Sequence, residues 1–114
     1  MTNIGENIKK FRVFRKMTQV ELGEAVGRSK NVVSNWERGD NAPDLDTLEK
    51  ICKILKVTPN QMFGWEPNEE YERYRTYLMT FKVKYDELTM QKMKIESEMQ
   101  KLKEAMATEM FEGD

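Results

Sequence analysis

The residues with the most distinctive chemistry lie in the segment Thr18–Gly39, TQVELGEAVGRSKNVVSNWERG. Its apolar residues recur at helical spacing, and Gly27 falls where a tight turn would separate two short helices. The second of these helices would expose short polar donors and acceptors, which can reach base edges in a DNA major groove. The exposed positions are Lys30, Asn31, Ser34 and Asn35.

The same segment has the spacing of a helix-turn-helix. Gly23 supplies a small residue where the two helices should touch, and Gly27 supplies the turn. The apolar positions predict a shared core, and Trp36 is interpreted as part of this core and not as a stacking platform. The expected buried residues are Leu22, Val26, Val33 and Trp36.

Catalytic and metal-binding chemistry is poorly represented. The chain has no histidine, which removes the commonest general base and the commonest metal ligand. Its one cysteine, Cys52, lies on an apolar helix face and is interpreted as a buried hydrophobe, with a reactive thiol as the alternative. No motif pairs a nucleophile with a base, so the sequence predicts neither an enzyme nor a cofactor or metal site.

Composition indicates where the protein works. The 114 residues have a net charge of −1, and no apolar run approaches the roughly 20 residues of a membrane span. The start, MTNIGENIKK, lacks the apolar region of a signal peptide. A single cysteine allows no internal disulfide framework. We therefore expect a cytoplasmic protein without membrane contact.

Charge is unevenly distributed along the chain. Residues 1–39 contain eight basic and four acidic side chains, whereas the net charge is −2 for residues 40–66 and −3 for residues 67–114. A basic first part suits the binding of polyanions such as nucleic acids. A solvated helix face would have the same composition, so charge alone leaves both interpretations open.

Residues 1–66 are predicted to form five short helices, the first from Asn3 to Lys16. Each of the others begins at a residue whose side chain can accept a hydrogen bond from a first-turn amide. Two of these residues also start a capping box, with Glu or Gln three residues later. The four caps are Thr18, Ser29, Asp44 and Thr58, and residues 63–67 are expected to be a linker.

Residues 67–114 are predicted to form a second region, one long helix. No glycine or proline occurs from Asn68 to Glu112, a length of about 68 Å at 1.5 Å per residue. Apolar residues repeat in it at alternating steps of three and four, which is typical of a left-handed coiled coil. This apolar stripe has ten apolar positions and one polar position, Lys92, and Tyr71 takes heptad position a. Its members are Tyr71, Tyr74, Leu78, Phe81, Tyr85, Leu88, Lys92, Ile95, Met99, Leu102 and Met106.

The apolar stripe predicts a homodimer interface. In a parallel pair Glu70 would face Arg75 of the partner and Glu98 would face Lys103, while Lys92 at an a position favours two strands. The alternatives are that the stripe folds back on its own domain, or that its adaptable methionines bind a different protein. The direction of pairing, parallel or antiparallel, stays open.

Across the first 66 residues, the chain resembles the Cro/repressor-type (XRE-like) helix-turn-helix family of bacterial and phage transcription regulators. The matching segments are IGENIKKFR (4–12), MTQVELGEAVG (17–27), VSNWERG (33–39), Pro43 and LEKICKILKVTPNQMF (48–63). The resemblance implies an all-α, five-helix lambda-repressor-like DNA-binding domain, followed here by a long coiled-coil helix outside the shared pattern.

The resemblance also implies roles for single residues. The position of Gln19 holds a DNA phosphate at a helix N-terminus, and Arg12 with Glu37 matches a structural salt bridge between the first and third helices. Base contacts are implied for Lys30, Asn31 and Asn35, and phosphate or base contacts for Ser29 and Ser34.

The loop after the third helix departs from the family pattern. Its sequence, GDNAPD (39–44), has two acidic residues where relatives often have basic ones, and offers phosphates little beyond Asn41 and backbone amides. Arg28 and Arg38 flank the third helix and can serve either phosphate contact or plain solvation. A single copy should therefore bind DNA weakly, which makes dimerisation more necessary.

Together these features predict a homodimeric, sequence-specific regulator of double-stranded DNA, interpreted as a repressor. Its operator would be an inverted repeat with half-site centres about one helical turn, or a multiple, apart. The alternative is an antitoxin-like or partner-dependent regulator whose C-terminal helix binds another protein.

Overall fold

The computed structural model describes residues 3–112, and within that range every regular element is a helix, as predicted. The chain divides into two compact units, which we call the head (Met1–Arg73) and the tail (Tyr74–Asp114). The helices are α1 (Ile4–Phe14), α2 (Gln19–Val26), α3 (Lys30–Arg38), α4 (Leu45–Leu55), α5 (Pro59–Met62) and α6 (Glu69–Glu112).

Local capping chemistry sets the helix starts in the head. The Thr18 hydroxyl accepts a hydrogen bond from the Glu21 amide (3.1 Å), and the Glu21 side chain accepts one from the Thr18 amide (3.2 Å). Ser29, Asp44 and Thr58 cap α3, α4 and α5 as predicted. One boundary was wrong, since α1 ends at Phe14 and Lys16 adopts a left-handed conformation with φ 60°.

The core of the head draws on α1 to α5. Cys52 is buried in it, and burial raises the pKa of its thiol, which fits a small core hydrophobe. Removing such apolar side chains from water is the main stabilising contribution to a domain of this size. The core residues are Ile8, Phe11, Leu22, Val26, Val33, Trp36, Leu48, Ile51, Cys52, Leu55, Val57 and Met62.

Two buried asparagines link α5 to other helices of the head. The Asn7 side chain donates to the Met62 carbonyl (2.7 Å), which joins α1 to α5. The Asn68 side chain donates to Gln61 Oε1 (3.0 Å) and accepts from the Tyr71 amide (2.8 Å), so it caps the first turn of α6. Both amides satisfy their polar atoms inside the protein, as burial requires.

The head therefore continues past the boundary expected at residue 66. The Tyr71 ring packs edge-on against Phe11 and Phe14, at centroid distances of 5.5 and 5.4 Å. Arg15 donates to Glu70 Oε1 (2.8 Å), and this hydrogen bond lowers the pKa of Glu70. Within the head, α1 thus engages Tyr71, which was predicted to lie in a dimer interface, and Arg15 engages Glu70, which was predicted to face a partner copy.

The tail exposes the apolar residues of its stripe. From Tyr74 to Met106 every member of the apolar stripe is exposed. We call these ten positions, from Tyr74 to Met106 without Tyr71, the seam. No helix in the described part of the chain is long and apolar enough to cross a membrane.

Candidate nucleic-acid interface

Helix α3 has one buried side and one polar side. Val33 and Trp36 lie in the core, whereas Lys30 and Asn31 are exposed in the first turn. The Ser29 hydroxyl is committed to the cap, where it accepts from the Val32 amide (3.3 Å). The fold thus presents the predicted polar side chains on one surface, which we call the polar face: Lys30 and Asn31, which are exposed as predicted, and Ser34 and Asn35, which are half-buried.

The turn before α3 holds this helix at a fixed angle to α2. Gly27 is left-handed (φ 72°), and the Arg28 amide donates to the Gly23 carbonyl (2.8 Å). A Cβ on Gly23 would lie 2.5 Å from the Arg28 carbonyl oxygen. The small residue is therefore needed against the turn backbone, rather than against α3 as the sequence interpretation had it.

A second close approach, at Gly5, escaped sequence reasoning. A Cβ at this position would lie 2.1 Å from the Trp36 carbonyl oxygen, so α1 passes directly against the backbone of α3. The only sequence signal was a glycine inside a helical pattern, which often marks such packing. Gly5 thus positions the C-terminal half of the candidate reading helix.

A buried ion pair joins α1 to the end of α3. Arg12 binds both carboxylate oxygens of Glu37, at 2.6 and 2.8 Å, and also donates to the Met17 carbonyl (2.8 Å). The Glu37 side chain is only 4% exposed. Gln19 donates its side-chain amide to the same carboxylate (3.1 Å). In this conformation, therefore, the Gln19 amide is held by Glu37 and only the N-terminus of α2 remains for a phosphate.

Arg38 lies along the polar face and donates hydrogen bonds to two of its residues. It donates to Ser34 Oγ (3.0 Å), to Asn35 Oδ1 and to Asp40 Oδ2 (3.1 Å). Asparagine pairs with adenine through both its oxygen and its amide. Arg38 must therefore release Asn35 before that side chain makes a bidentate base contact. Lys30 and Asn31 need no such rearrangement.

The remaining predicted contacts lie around the loop after α3. Arg28 is turned towards α4, where it donates to Thr47 Oγ1 (3.4 Å) and lies 3.9 Å from the Asp44 carboxylate. Hydrogen bonding from Thr47 lowers the pKa of Asp44, which caps α4. Asn41 is exposed. Of the nine predicted DNA contacts, the structure places four on the polar face and five around its edge: Gln19, Arg28, Ser29, Arg38 and Asn41.

Comparison with known proteins agrees with this geometry. Residues 8–62 match a family model described as helix-turn-helix. The transcriptional regulator DicA of Escherichia coli is 39% identical over 67 residues, which are 58% of this chain and 50% of DicA. The antitoxin PezA of Streptococcus pneumoniae is 33% identical over 73 residues, 60% of this chain and 46% of PezA.

A solved structure extends the likeness to three dimensions. The P22 c2 repressor, crystallised with a synthetic operator, superposes with a TM-score of 0.52 at 32% identity, covering 55% of this chain and 96% of that one. The fold and its polar face define a helix-turn-helix protein. The chain belongs to the Cro/repressor-type (XRE-like) helix-turn-helix family. It spans about half the length of the curated relatives it matches.

Proposed function

We propose that this protein is a sequence-specific, double-stranded-DNA-binding transcription regulator that acts as a homodimeric repressor. The single observation that carries the proposal is the polar face of a capped α3. This surface offers Lys30 and Asn31 freely, while Val33 and Trp36 fix the opposite side in the core. Lysine suits guanine O6 and N7, and asparagine suits adenine N6 and N7.

Backbone contacts would orient α3 on the duplex. The N-terminus of α2 offers amide donors to a phosphate, and Arg28 and Arg38 lie at the two ends of α3. The loop after α3 (residues 39–44) adds no cation, because it contains neither lysine nor arginine; its Asp40 pairs with Arg38 and its Asp44 caps α4. We therefore propose that one head binds weakly, and that two linked heads on an inverted repeat supply the affinity.

Dimerisation is assigned to the seam. A 44-residue helix whose apolar stripe is exposed from Tyr74 to Met106 needs a partner helix to remove that stripe from water. A second copy provides the same seam. Repression would then follow from occlusion of a promoter by the bound dimer.

The experiment is selection of binding sites from a random duplex pool with the full-length protein near physiological salt. An enriched inverted repeat is expected, with half-site centres one turn or a multiple apart. Lys30→Ala with Asn31→Ala should abolish the enrichment. Lys50→Ala, on the exposed side of α4, is the charge-matched control and should preserve it. A pool without any enriched sequence would contradict the proposal.

A second candidate is a partner-dependent regulator of the antitoxin kind. The likeness to an antitoxin and the exposed methionines of the tail favour it, because methionine adapts to varied partners. Sedimentation equilibrium separates the two candidates. A mass of twice the monomer that persists on dilution to low micromolar would count against this candidate, and a monomer would favour it.

A further inference from the structure

The intramolecular contacts of the head change what the tail can offer a second copy. Tyr71 is engaged by α1, and Glu70 by Arg15 just after it, so the first flanking pair expected for a parallel dimer, Glu70 with Arg75, is lost. The seam then begins at Tyr74 and ends at Met106. Its midpoint is residue 90, where an open groove is lined by Tyr85, Leu88, Thr89 and Lys92.

The seam of one copy is complementary to the seam of a second copy when the two helices run antiparallel. Suppose that two tails run antiparallel and that each seam residue faces the residue of the second copy that lies equally far from residue 90 on its other side. Every a position then meets a d position, and no seam residue extends beyond the end of the other seam. This is the layer geometry that an antiparallel coiled coil requires. The five layers are Tyr74 with Met106, Leu78 with Leu102, Phe81 with Met99, Tyr85 with Ile95, and Leu88 with Lys92.

Side-chain size favours this direction. In a parallel pair each residue meets its own copy, so Tyr74, Phe81 and Tyr85 would all face identical rings. In the antiparallel pair each of these rings faces an aliphatic or thioether side chain. Two of the layers become methionine–aromatic contacts, which are favourable in themselves. The aromatic N-terminal half of one seam thus packs against the aliphatic and methionine-containing C-terminal half of the other.

The lysine in the seam also favours antiparallel pairing. Parallel pairing would set Lys92 beside the second copy's Lys92 in one layer, with two like charges in an apolar interface. Antiparallel pairing sets each Lys92 across from Leu88, so the aliphatic stem covers an apolar neighbour and the ammonium reaches solvent. The ammonium lies 3.9 Å from Glu96 of its own helix, which partly compensates the charge.

Flanking charges add to the preference. In an antiparallel pair, the g positions that flank the seam face g positions of the second copy, and e positions face e positions. Lys84 therefore faces Glu98, and Lys82 faces Glu96; each pair occurs twice by symmetry. One like-charged pair, Arg75 with Lys103, arises at the ends. The parallel pair keeps a single kind of attractive contact, Glu98 with Lys103. All of these side chains are exposed.

We infer that two copies of this chain pair antiparallel through the seam, with Leu88 and Lys92 at the centre. The inference rests on the proposed homodimer and adds its direction. The two Tyr74 positions, where the heads attach, then lie about 48 Å apart along the coil at 1.5 Å per residue. In a parallel pair they would be about 8–10 Å apart.

This direction has a consequence for the DNA. An antiparallel pair keeps a two-fold axis, so an inverted repeat still matches the symmetry of the protein. The attachment points are farther apart than one DNA turn of about 34 Å. Half-site centres two or more turns apart are therefore preferred over centres one turn apart.

Crosslinking of full-length variants tests the direction. In a Cys52→Ala background, Leu78→Cys and Leu102→Cys are treated with a short bismaleimide, each alone and after mixing and exchange of subunits. One of the two carries an N-terminal extension, so that mixed dimers differ in mass. Ser97→Cys, on the outer side of the tail, is the control and should not crosslink. Sedimentation equilibrium on each variant checks that it remains dimeric.

Antiparallel pairing predicts crosslinked dimers only in the mixture, because identical cysteines lie about 36 Å apart. Crosslinking of each variant to itself would show parallel pairing and overturn the inference, while leaving the homodimer intact. Monomeric mass for the parent protein would overturn the homodimer and this inference together.

Discussion

At the scale of single residues, the orientation of α3 depends on groups that never touch the polar face. Arg12, Glu37 and Gln19 form one buried cluster, and Gly5 lets α1 approach the Trp36 backbone. The Arg12–Glu37 pair could be predicted because it belongs to a family pattern. The Gly5 contact could not, because nothing local to Gly5 identifies the backbone it meets.

Removal of the Glu37 carboxylate should be costly. Glu37→Ala leaves the Arg12 guanidinium largely buried and without its counter-ion, so we expect a loss of about 3–5 kcal/mol in the free energy of unfolding. Urea denaturation measures it. Glu49→Ala breaks the exposed pair with Lys53 and should cost less than about 1 kcal/mol. Equal losses for the two variants would contradict the cluster's role.

Gly5→Ala should lower stability, although alanine is normally the better residue in a helix. The added Cβ meets the Trp36 carbonyl oxygen at 2.1 Å, so backbone must shift, at about 1–3 kcal/mol. Thermal unfolding shows whether the melting temperature falls, and Glu24→Ala, on the exposed side of α2, is the control. An increase in melting temperature would show that α1 does not press on α3.

At the scale of elements, caps and helix order were predictable because capping chemistry is local. Thr18, Ser29, Asp44 and Thr58 all accept from an amide three residues ahead. The first turn of α6 was not predictable, since its heptad pattern continues smoothly into the seam. Its assignment to the head depends on Phe11, Phe14 and Arg15, which are more than fifty residues away.

The Arg15–Glu70 contact should make stability depend on pH. The hydrogen bond from Arg15 lowers the pKa of folded Glu70, so its contribution is present above the unfolded pKa of about 4.3 and is lost as pH falls through the folded value. Urea unfolding of Glu70→Gln and the parent protein should differ at pH 7 and converge in acid. A difference that grows in acid would contradict this assignment.

Charge reversal in the tail tests the direction of pairing independently. Lys84→Glu should weaken dimerisation by about threefold to tenfold, because Lys84 faces Glu98 in the antiparallel register. Adding Glu98→Lys to the same chain should restore it. In a parallel pair Lys84 faces Thr89, so the first change would matter little and the second would not rescue it. Sedimentation equilibrium measures the dimer dissociation constants of the parent protein, Lys84→Glu and the double variant.

At the scale of the whole molecule, the proposed function combines a head that reads DNA weakly with a tail that joins two copies. The loop after α3 contains no lysine or arginine, whereas the seam extends over 33 residues, from Tyr74 to Met106. Linked binding sites gain affinity through effective concentration. The sequence predicts both parts and leaves the direction of pairing open. The antiparallel direction that we infer draws on the packing of Tyr71, in the first turn of α6, against α1.

The most direct measurement of the central claim is the ratio of the dissociation constants for a scrambled and a selected duplex, at one fixed salt concentration. Lys30→Ala and Asn31→Ala should each reduce this ratio about tenfold, whereas Lys50→Ala should leave it unchanged. An unchanged ratio for the first two variants would show that α3 does not read the sequence.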